Sequence, residues 1–224
     1  MSDSSTRPAE HADDEISHPL FAKLYDVLPQ SILFEPHREY LARDLSGRVL
    51  ELGCGTGDMF PSIVEHATAS LEYHAIEPDP HMRKRARKRA GETGLAVDLR
   101  GARAESLPYP DDYFDVVIAS LVFCTIQDPD AALEEALRVL EPGGEFRFLE
   151  HVHADGWRGS GQELLNPLWA HTAGGCQLTR ETIPRFVSHE AVTVEEIERL
   201  DLGFFPVAPF IRGTLRRKRG STLE

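Results

Sequence analysis

Apolar positions fall into short runs separated by glycine, proline and acidic turns, and the period of the runs alternates along the chain. In residues 18–28, Leu20, Phe21, Leu24, Tyr25 and Leu28 form one stripe, which predicts an amphipathic helix ending at Pro29. A second helix is predicted over residues 36–45, closed by Gly47. The pattern then turns to strands. Residues 47–50 begin an apolar run that ends in glycines, as a buried parallel strand entering a turn does. Met59, Ile63 and Val64 follow at helical spacing, and residues 71–76 alternate into a second strand. Residues 80–90 read as a helix, 95–99 as a third strand and 114–119 as a fourth. Asp128-Pro129 places an N-cap before a first-turn proline, opening a helix to residue 140 with Leu133, Leu137 and Leu140 on one face. Pro142-Gly-Gly144 turns that helix into a fifth strand over 145–152.

This alternation predicts an α/β fold, a doubly wound and mostly parallel sheet with helices on both faces. The remainder is less regular. Residues 157–169 read as a helix broken at Pro167, Gly174-Gly175-Cys176 as a turn, and 179–186 as a short helix. Residues 192–202 and 209–218 are extended segments that predict an antiparallel hairpin, bringing the sheet to seven strands. The expected organisation is a disordered acidic tail (1–15), amino-terminal helices (16–46) and one ligand-binding domain (47–224). That domain includes a substrate-side insertion at 153–190 and the closing hairpin at 191–218. The amino-terminal helices either form a lid over the carboxyl end of the sheet or cover its edge.

With 224 residues and 41% apolar content, the chain can bury a full core. No run reaches the ~18 apolar residues of a membrane span. The first fifteen residues carry no apolar segment, so they read as neither signal peptide nor anchor, and a cytoplasmic protein is expected. Cys54, Cys124 and Cys176 form no C-x-x-C pair and the ten histidines no H-E-x-x-H, so neither a disulfide framework nor a metal site is expected. Net charge is −13, and only four of the 24 bases are lysine, an acidic surface suited to a high-salt cytoplasm. A melting temperature that does not rise in molar KCl would remove that hypothesis. Against this background stands Arg83 to Arg89, six bases in seven residues. They lie on every side of the predicted helix with no interleaved aromatic residue, which favours a solvated face over a nucleic-acid contact.

Candidate chemistry centres on Glu51-Leu-Gly-Cys-Gly-Thr-Gly57, a strand, glycine turn and helix start on which a ligand can lie against the backbone. Asp58 stands where a dinucleotide fingerprint needs its third glycine, and there is no Gly-Lys-Ser/Thr of a P-loop. Nearby carboxylates oppose a phosphate but suit a sulfonium, so the loop points to S-adenosylmethionine. Glu77, at the end of the second strand, sits where an acid meets ribose hydroxyls; alternatively it caps the helix that follows. Arg103, Ala104 and Glu105 offer a donor and an acceptor for an adenine edge.

These residues together resemble the class I S-adenosylmethionine-dependent methyltransferases, of the methyltransferase type 11 group. The resemblance runs through Glu51–Gly57, Glu77-Pro78, Ala104-Glu-Ser-Leu-Pro108, Phe114-Asp-Val-Val117 and Arg138-Val-Leu-Glu-Pro-Gly-Gly144, about residues 47 to 152. It implies a Rossmann-like sheet ending in an antiparallel strand, with S-adenosylmethionine as cofactor and S-adenosylhomocysteine as product. Carried over to this chain, the cofactor side comprises Glu51, Gly53, Cys54, Gly55, Gly57, Glu77, Pro78, Met82, Arg103, Ala104, Glu105, Ser120 and Leu121. Ser120-Leu-Val-Phe-Cys-Thr-Ile-Gln-Asp-Pro129, Phe148-Leu-Glu-His-Val152, Trp169 and Gly174-Gly-Cys-Gln-Leu-Thr-Arg180 further resemble methyltransferase-like thiol methyltransferases of animals and their microbial relatives. The animal proteins have a membrane-anchoring amino-terminal segment, where this chain is polar.

Methyl transfer from a sulfonium is an in-line displacement that positioning alone can largely accelerate. A thiol of pKa near ~8.5 needs at most a modest base, a phenol near ~10 needs more. His151, with His153 and His171 behind it, is the best-placed base, or a structural strand-end histidine. Tyr25, Cys124, His151, Trp169 and Cys176 are the expected substrate pocket, although buried cysteines can be simple packing. The expected partner is a small-molecule methyl acceptor, a thiol or else a quinone-like or phenolic C- or O-acceptor, in a monomer or homodimer. A nucleic-acid-binding protein using the Arg83 to Arg89 helix is the reading of another class.

Overall fold

A computed structural model of the chain describes residues 30–68, 70–202 and 205–220. In chain order its elements are α1 (Gln30–Ala42), β1 (Gly47–Leu52), α2 (Phe60–His66), β2 (Leu71–Ile76), α3 (Pro80–Thr93), β3 (Val97–Arg100) and β4 (Phe114–Ser120). There follow α4 (Pro129–Val139), β5 (Leu140–His151), α5 (Gly156–Thr172), α6 (Thr182–Ser188), β6 (Val192–Leu200) and β7 (Phe210–Arg217). The seven strands form one sheet of order β3-β2-β1-β4-β5-β7-β6. β1 to β5 run parallel, and β7 lies antiparallel between β5 and β6.

The chain winds outward from β1 through β2 to β3, then returns to pair β4 with the other side of β1. That reversal leaves a crevice at the carboxyl ends of β1 and β4, the place where open α/β sheets bind ligands. The central strands are apolar on both faces because helices cover both. Leu50, Leu52, Val117, Phe146 and Phe148 pack with α4 on one side; Val49, Tyr73, Ile118 and Leu149 pack with α1 and α2 on the other. Helix starts follow their caps: Asp79 accepts from the amides of His81 (2.7 Å) and Met82 (3.2 Å), and Asp128 from Ala131 (3.1 Å).

The succession of strands and helices and the closing hairpin agree with the sequence reading. Several boundaries do not. α1 begins six residues before Pro36 and takes that proline into its interior. α5 is one helix through Pro167 rather than two pieces. The proline costs about 3 kcal/mol in a helix interior, and tertiary bonds from the turn before it offset that. Gln162 accepts from the Ala154 amide at 2.7 Å and donates to the Pro206 carbonyl at 2.8 Å, while Asn166 donates to Gln177 at 2.8 Å and accepts from the Leu178 amide at 2.7 Å. β5 starts at Leu140, because Leu140 pairs with Phe114 and an irregularity between Phe114 and Val116 absorbs the Pro-Gly-Gly turn. The expected helix over residues 18–28, with Tyr25, lies outside the described residues. Among the described residues, no helix is long and apolar enough to cross a membrane.

Candidate active site

The crevice has three walls. The first is the loop after β1. Gly53, Gly55 and Gly57 all have left-handed backbones (φ +57°, +57° and +84°), which favour glycine. Their surroundings differ. A Cβ on Gly53 would meet Val122 Cγ2 at 2.3 Å, whereas one on Gly55 would meet nothing within 4 Å. Gly53 therefore lets the β1 and β4 loops touch, and Gly55 opens a cradle. The Gly55 amide donates to Glu77 Oε2 at 2.8 Å, and the Asp79 amide to Glu77 Oε1 at 2.9 Å. Glu77 is buried, and burial raises its carboxyl to about 7 against the pull of those two amides. Glu51 is buried below the loop, accepts from the Tyr73 hydroxyl at 2.8 Å and is raised by burial to about 8. Cys54 is buried too, its thiol pushed well up by burial.

Asp58 pairs with Arg89 and lies 3.8 Å from Arg38, so the acid in the dinucleotide-glycine position is held by arginines from α3 and α1. Arg83 donates to the carbonyls of Glu77 and Pro78, the latter at 3.0 Å. Two bases of the basic helix thus turn inward and brace the loops, a role the sequence reading of that run did not include. Met82, partly buried, contributes its amide to the Asp79 cap.

The second wall is the loop after β3. Ala104 is buried, and Arg103 lies 3.7 Å from Glu105. Glu105 also accepts from the amides of Gln127 (3.2 Å) and Asp128 (3.4 Å), which ties this loop to the entry of α4.

The third wall follows β4. Ser120 ends the strand, and Leu121 adopts φ +56°, a strained conformation for a side-chain-bearing residue. Its amide donates to the Leu149 carbonyl at 2.7 Å, and the next two amides, of Val122 and Phe123, donate to Glu150 Oε1 at 2.9 and 3.1 Å. Glu150 is fully buried and raised by burial to about 7, against the pull of those amides. Sequence reasoning missed it; the available signal was an acid set between Phe148-Leu149 and Val152 at the carboxyl end of the strand, away from Glu141 and Glu145 at its start.

That anchored loop delivers Cys124 to His151 and Cys176. His151 Nε2 lies 3.1 Å from Cys176 Sγ, and the three side chains bring their sulfur and nitrogen atoms within 4.8 Å of one another. The Cys176 thiol is pulled down, first by its hydrogen bond with Cys124 and then by His151, while the same hydrogen bond and burial push Cys124 up. Trp169 Nε1, buried without a full hydrogen bond, lies close enough to help lower Cys176. The Gln177 amide donates to the Cys124 carbonyl at 2.8 Å, and Arg180 donates to the Ile126 carbonyl at 2.8 Å. Beyond this seam lies a cavity of about 690 Å³ lined by Thr125, Gln127, Gly175, Gln177 and Arg180 among others. The structure thus brings together four of the five expected pocket residues, Tyr25 being outside the described ones. It does not bring His153 or His171 to them: His153 lies beside the Gly159 carbonyl (3.4 Å) and Glu163 (3.6 Å), and His171 is exposed on α5.

Residues 50–148 match the family described as Methyltransferase domain. The chain is 34% identical over 176 residues to a thiol S-methyltransferase of Homo sapiens, covering 75% of this chain and 70% of that protein. It is 33% identical over 145 residues to the ubiquinone/menaquinone biosynthesis C-methyltransferase of Serratia proteamaculans, covering 61% and 56%. In three dimensions it is similar to a SAM dependent methyltransferase of Aquifex aeolicus, with a TM-score of 0.62 at 16% identity, covering 89% of this chain and 98% of the other.

Proposed function

The chain belongs to the class I S-adenosylmethionine-dependent methyltransferases and is a small-molecule methyltransferase, and we propose that its methyl acceptor is a thiol. The reading is carried by one observation, the contact between His151 Nε2 and Cys176 Sγ at 3.1 Å beside the loop that leaves β4. An imidazole in a sulfur-lined corner of the crevice can take the proton of an acceptor thiol, and a group of pKa near ~8.5 needs no stronger base. The likeness to thiol S-methyltransferases adds support, since it extends over 75% of the chain, well past the 50–148 core.

The family implies S-adenosylmethionine as cofactor, and the residues present fit it. Gly55 leaves open space above the loop while its amide is already committed to Glu77, so the loop is not arranged to wrap a phosphate. Glu77, raised to about 7, is the carboxyl at the cradle whose charged form a cationic ligand would favour, while Asp58 is already paired with Arg89 and Glu51, raised to about 8, lies buried below the loop. In this proposal Gly53, Gly55, Gly57, Ser120 and Leu121 hold the methionyl part. Glu77 uses its remaining lone pairs to accept from ribose hydroxyls, with Pro78 and Met82 beside it, and Arg103, Ala104 and Glu105 border the adenine. When bound, the cofactor supplies an electrophilic methyl group on a sulfonium. The chain orients the acceptor sulfur against it, and His151 holds the proton that leaves.

The test is product analysis with methyl-labelled S-adenosylmethionine and two acceptors, an alkyl thiol and a hydroquinone. Label on the thiol sulfur is expected. Label on the hydroquinone ring or oxygen, with none on the thiol, would replace this reading with the C- or O-methylation that the quinone-pathway relative suggests.

A further inference from the structure

We propose that Cys124, His151 and Cys176 form a three-ligand site for a thiophilic divalent ion of the zinc class, whose open fourth position faces the acceptor. The ion-binding half stands on geometry alone; the fourth-position half rests on the thiol reading above.

Tetrahedral zinc, with bonds of about 2.3 Å to sulfur and about 2.0 Å to imidazole nitrogen, holds its ligand atoms roughly 3.4–3.8 Å apart. Here the three candidate atoms lie within 4.8 Å of one another, with His151 Nε2 and Cys176 Sγ at 3.1 Å. Side-chain shifts of about an ångström or less close that triangle round an ion. Three protein ligands with a vacant fourth corner is the pattern of reactive rather than structural zinc sites, and two sulfurs with one imidazole select zinc over magnesium or calcium.

The frame is rigid. Glu150 fixes the amides of Val122 and Phe123, and the Gln177 amide bonds to the Cys124 carbonyl at 2.8 Å. Asn166 Oδ1 accepts from the Leu178 amide at 2.7 Å, so the Cys176 turn is pinned to α5 as well. His151 is 3% exposed and Cys124 4%, so an ion at their Nε2 and Sγ would be held from the protein side.

Charge agrees. A divalent ion with two thiolates and a neutral imidazole has no net charge, which a buried site tolerates far better than thiolates alone. An acceptor thiol entering the fourth position exchanges its S–H bond for a sulfur–metal bond and the proton leaves to bulk water, so in the loaded site the ion replaces His151 as the agent of deprotonation and His151 Nε2 acts as a ligand. The sulfur that results is a thiolate at neutral pH, held in place. The ligands come from the β4–α4 loop, the end of β5 and the turn after α5, which is why no C-x-x-C or H-E-x-x-H spacing announces them in the sequence.

The experiment is metal analysis and cobalt substitution on the full chain, purified under reducing conditions. About one zinc per chain is expected, and cobalt in its place should give a thiolate charge-transfer band with intense tetrahedral visible absorption. Cys124→Ser and Cys176→Ser should each diminish the band, His171→Ala, at an exposed histidine of α5 away from the cluster, should retain it, and retained S-adenosylmethionine binding by each variant reports that it is folded. Stoichiometry near zero with no cobalt–thiolate band, a band unchanged in Cys176→Ser, or a Cys124–Cys176 disulfide in its place would overturn the site. Adding an alkyl thiol should shift the visible bands. No shift in a metal-loaded protein would overturn the fourth-position role while leaving the ion. Thiol methylation undiminished in metal-free protein would overturn that role while leaving the thiol reading intact.

Discussion

The two sides of the crevice are built in opposite ways. On the β1–β2 side the groups are close in sequence: Gly53 to Gly57 and Glu77 lie within 25 residues, and one carboxylate clasps both loop ends through the amides of Gly55 and Asp79. On the β4–β5 side the corner is assembled from Cys124, Glu150, His151 and Cys176, and its order comes from a buried acid that touches no other member of the cluster by hydrogen bond. The first side reads as a holder of a fixed ligand, the second as a place adapted to one acceptor. The two sides meet where Val122 lies against Gly53 and where Leu121 borders the proposed methionyl part, so damage to one should reach the other only weakly.

The largest separation is expected from Glu150→Ala. It frees the amides of Val122 and Phe123, which set Cys124, and a displacement of about 1 Å at a reacting centre can cost about 100-fold. Methyl transfer should fall by about that factor with cofactor affinity kept; Glu150→Gln, which retains an acceptor oxygen, should recover much of it. Steady-state rates with a thiol acceptor and a direct cofactor titration decide the matter together.

On the other side, Gly53→Ala and Gly55→Ala should differ in kind. Both strain a left-handed backbone by about 1–2 kcal/mol. Only Gly53→Ala also drives a methyl into Val122, adding about 1–3 kcal/mol, so its melting temperature should drop by roughly 10 °C. Gly55→Ala should melt only a few degrees lower yet lose more cofactor affinity, because its methyl enters the cradle. Thermal melts with and without S-adenosylmethionine separate the two.

Acidity gives a smaller effect. Burial raises Glu51 from 4.5 to about 8 and Glu77 from 4.5 to about 7. The folded state therefore binds these protons more tightly than the unfolded chain. Their stabilisation is complete below 4.5 and is lost as pH rises through 7 and 8. The melting temperature should fall across that interval, and Glu51→Gln should flatten the fall. The smallest effect belongs to exposed bases on α3: Lys84→Gln with Arg87→Gln should change neither cofactor affinity nor turnover by more than about twofold. Arg89→Gln, which breaks the pair with Asp58, should weaken cofactor binding measurably more.

The same contrast explains what could be read without coordinates. The glycine loop, the place of Glu77 at the end of β2 and the alternation of strands and helices were legible because each is written in contiguous residues. Helix α5 was not, since bonds from Gln162 and Asn166 carry it through Pro167, and such partners are invisible to local pattern. Nor was the inward turn of Arg83 and Arg89, which looks in sequence like any solvated basic run. His151, Cys124 and Cys176 could be named singly. Their meeting, 25 and 52 residues apart from Cys176, is a product of the sheet returning β5 beside β4.

Calorimetric titration of the full chain with S-adenosylmethionine, carried out on the wild type, Glu77→Ala and Glu150→Ala, separates the two sides in one measurement. The division of labour described here requires at least a tenfold loss of affinity in Glu77→Ala and a change within about twofold in Glu150→Ala. Equal losses in both variants, or a loss confined to Glu150→Ala, would contradict it.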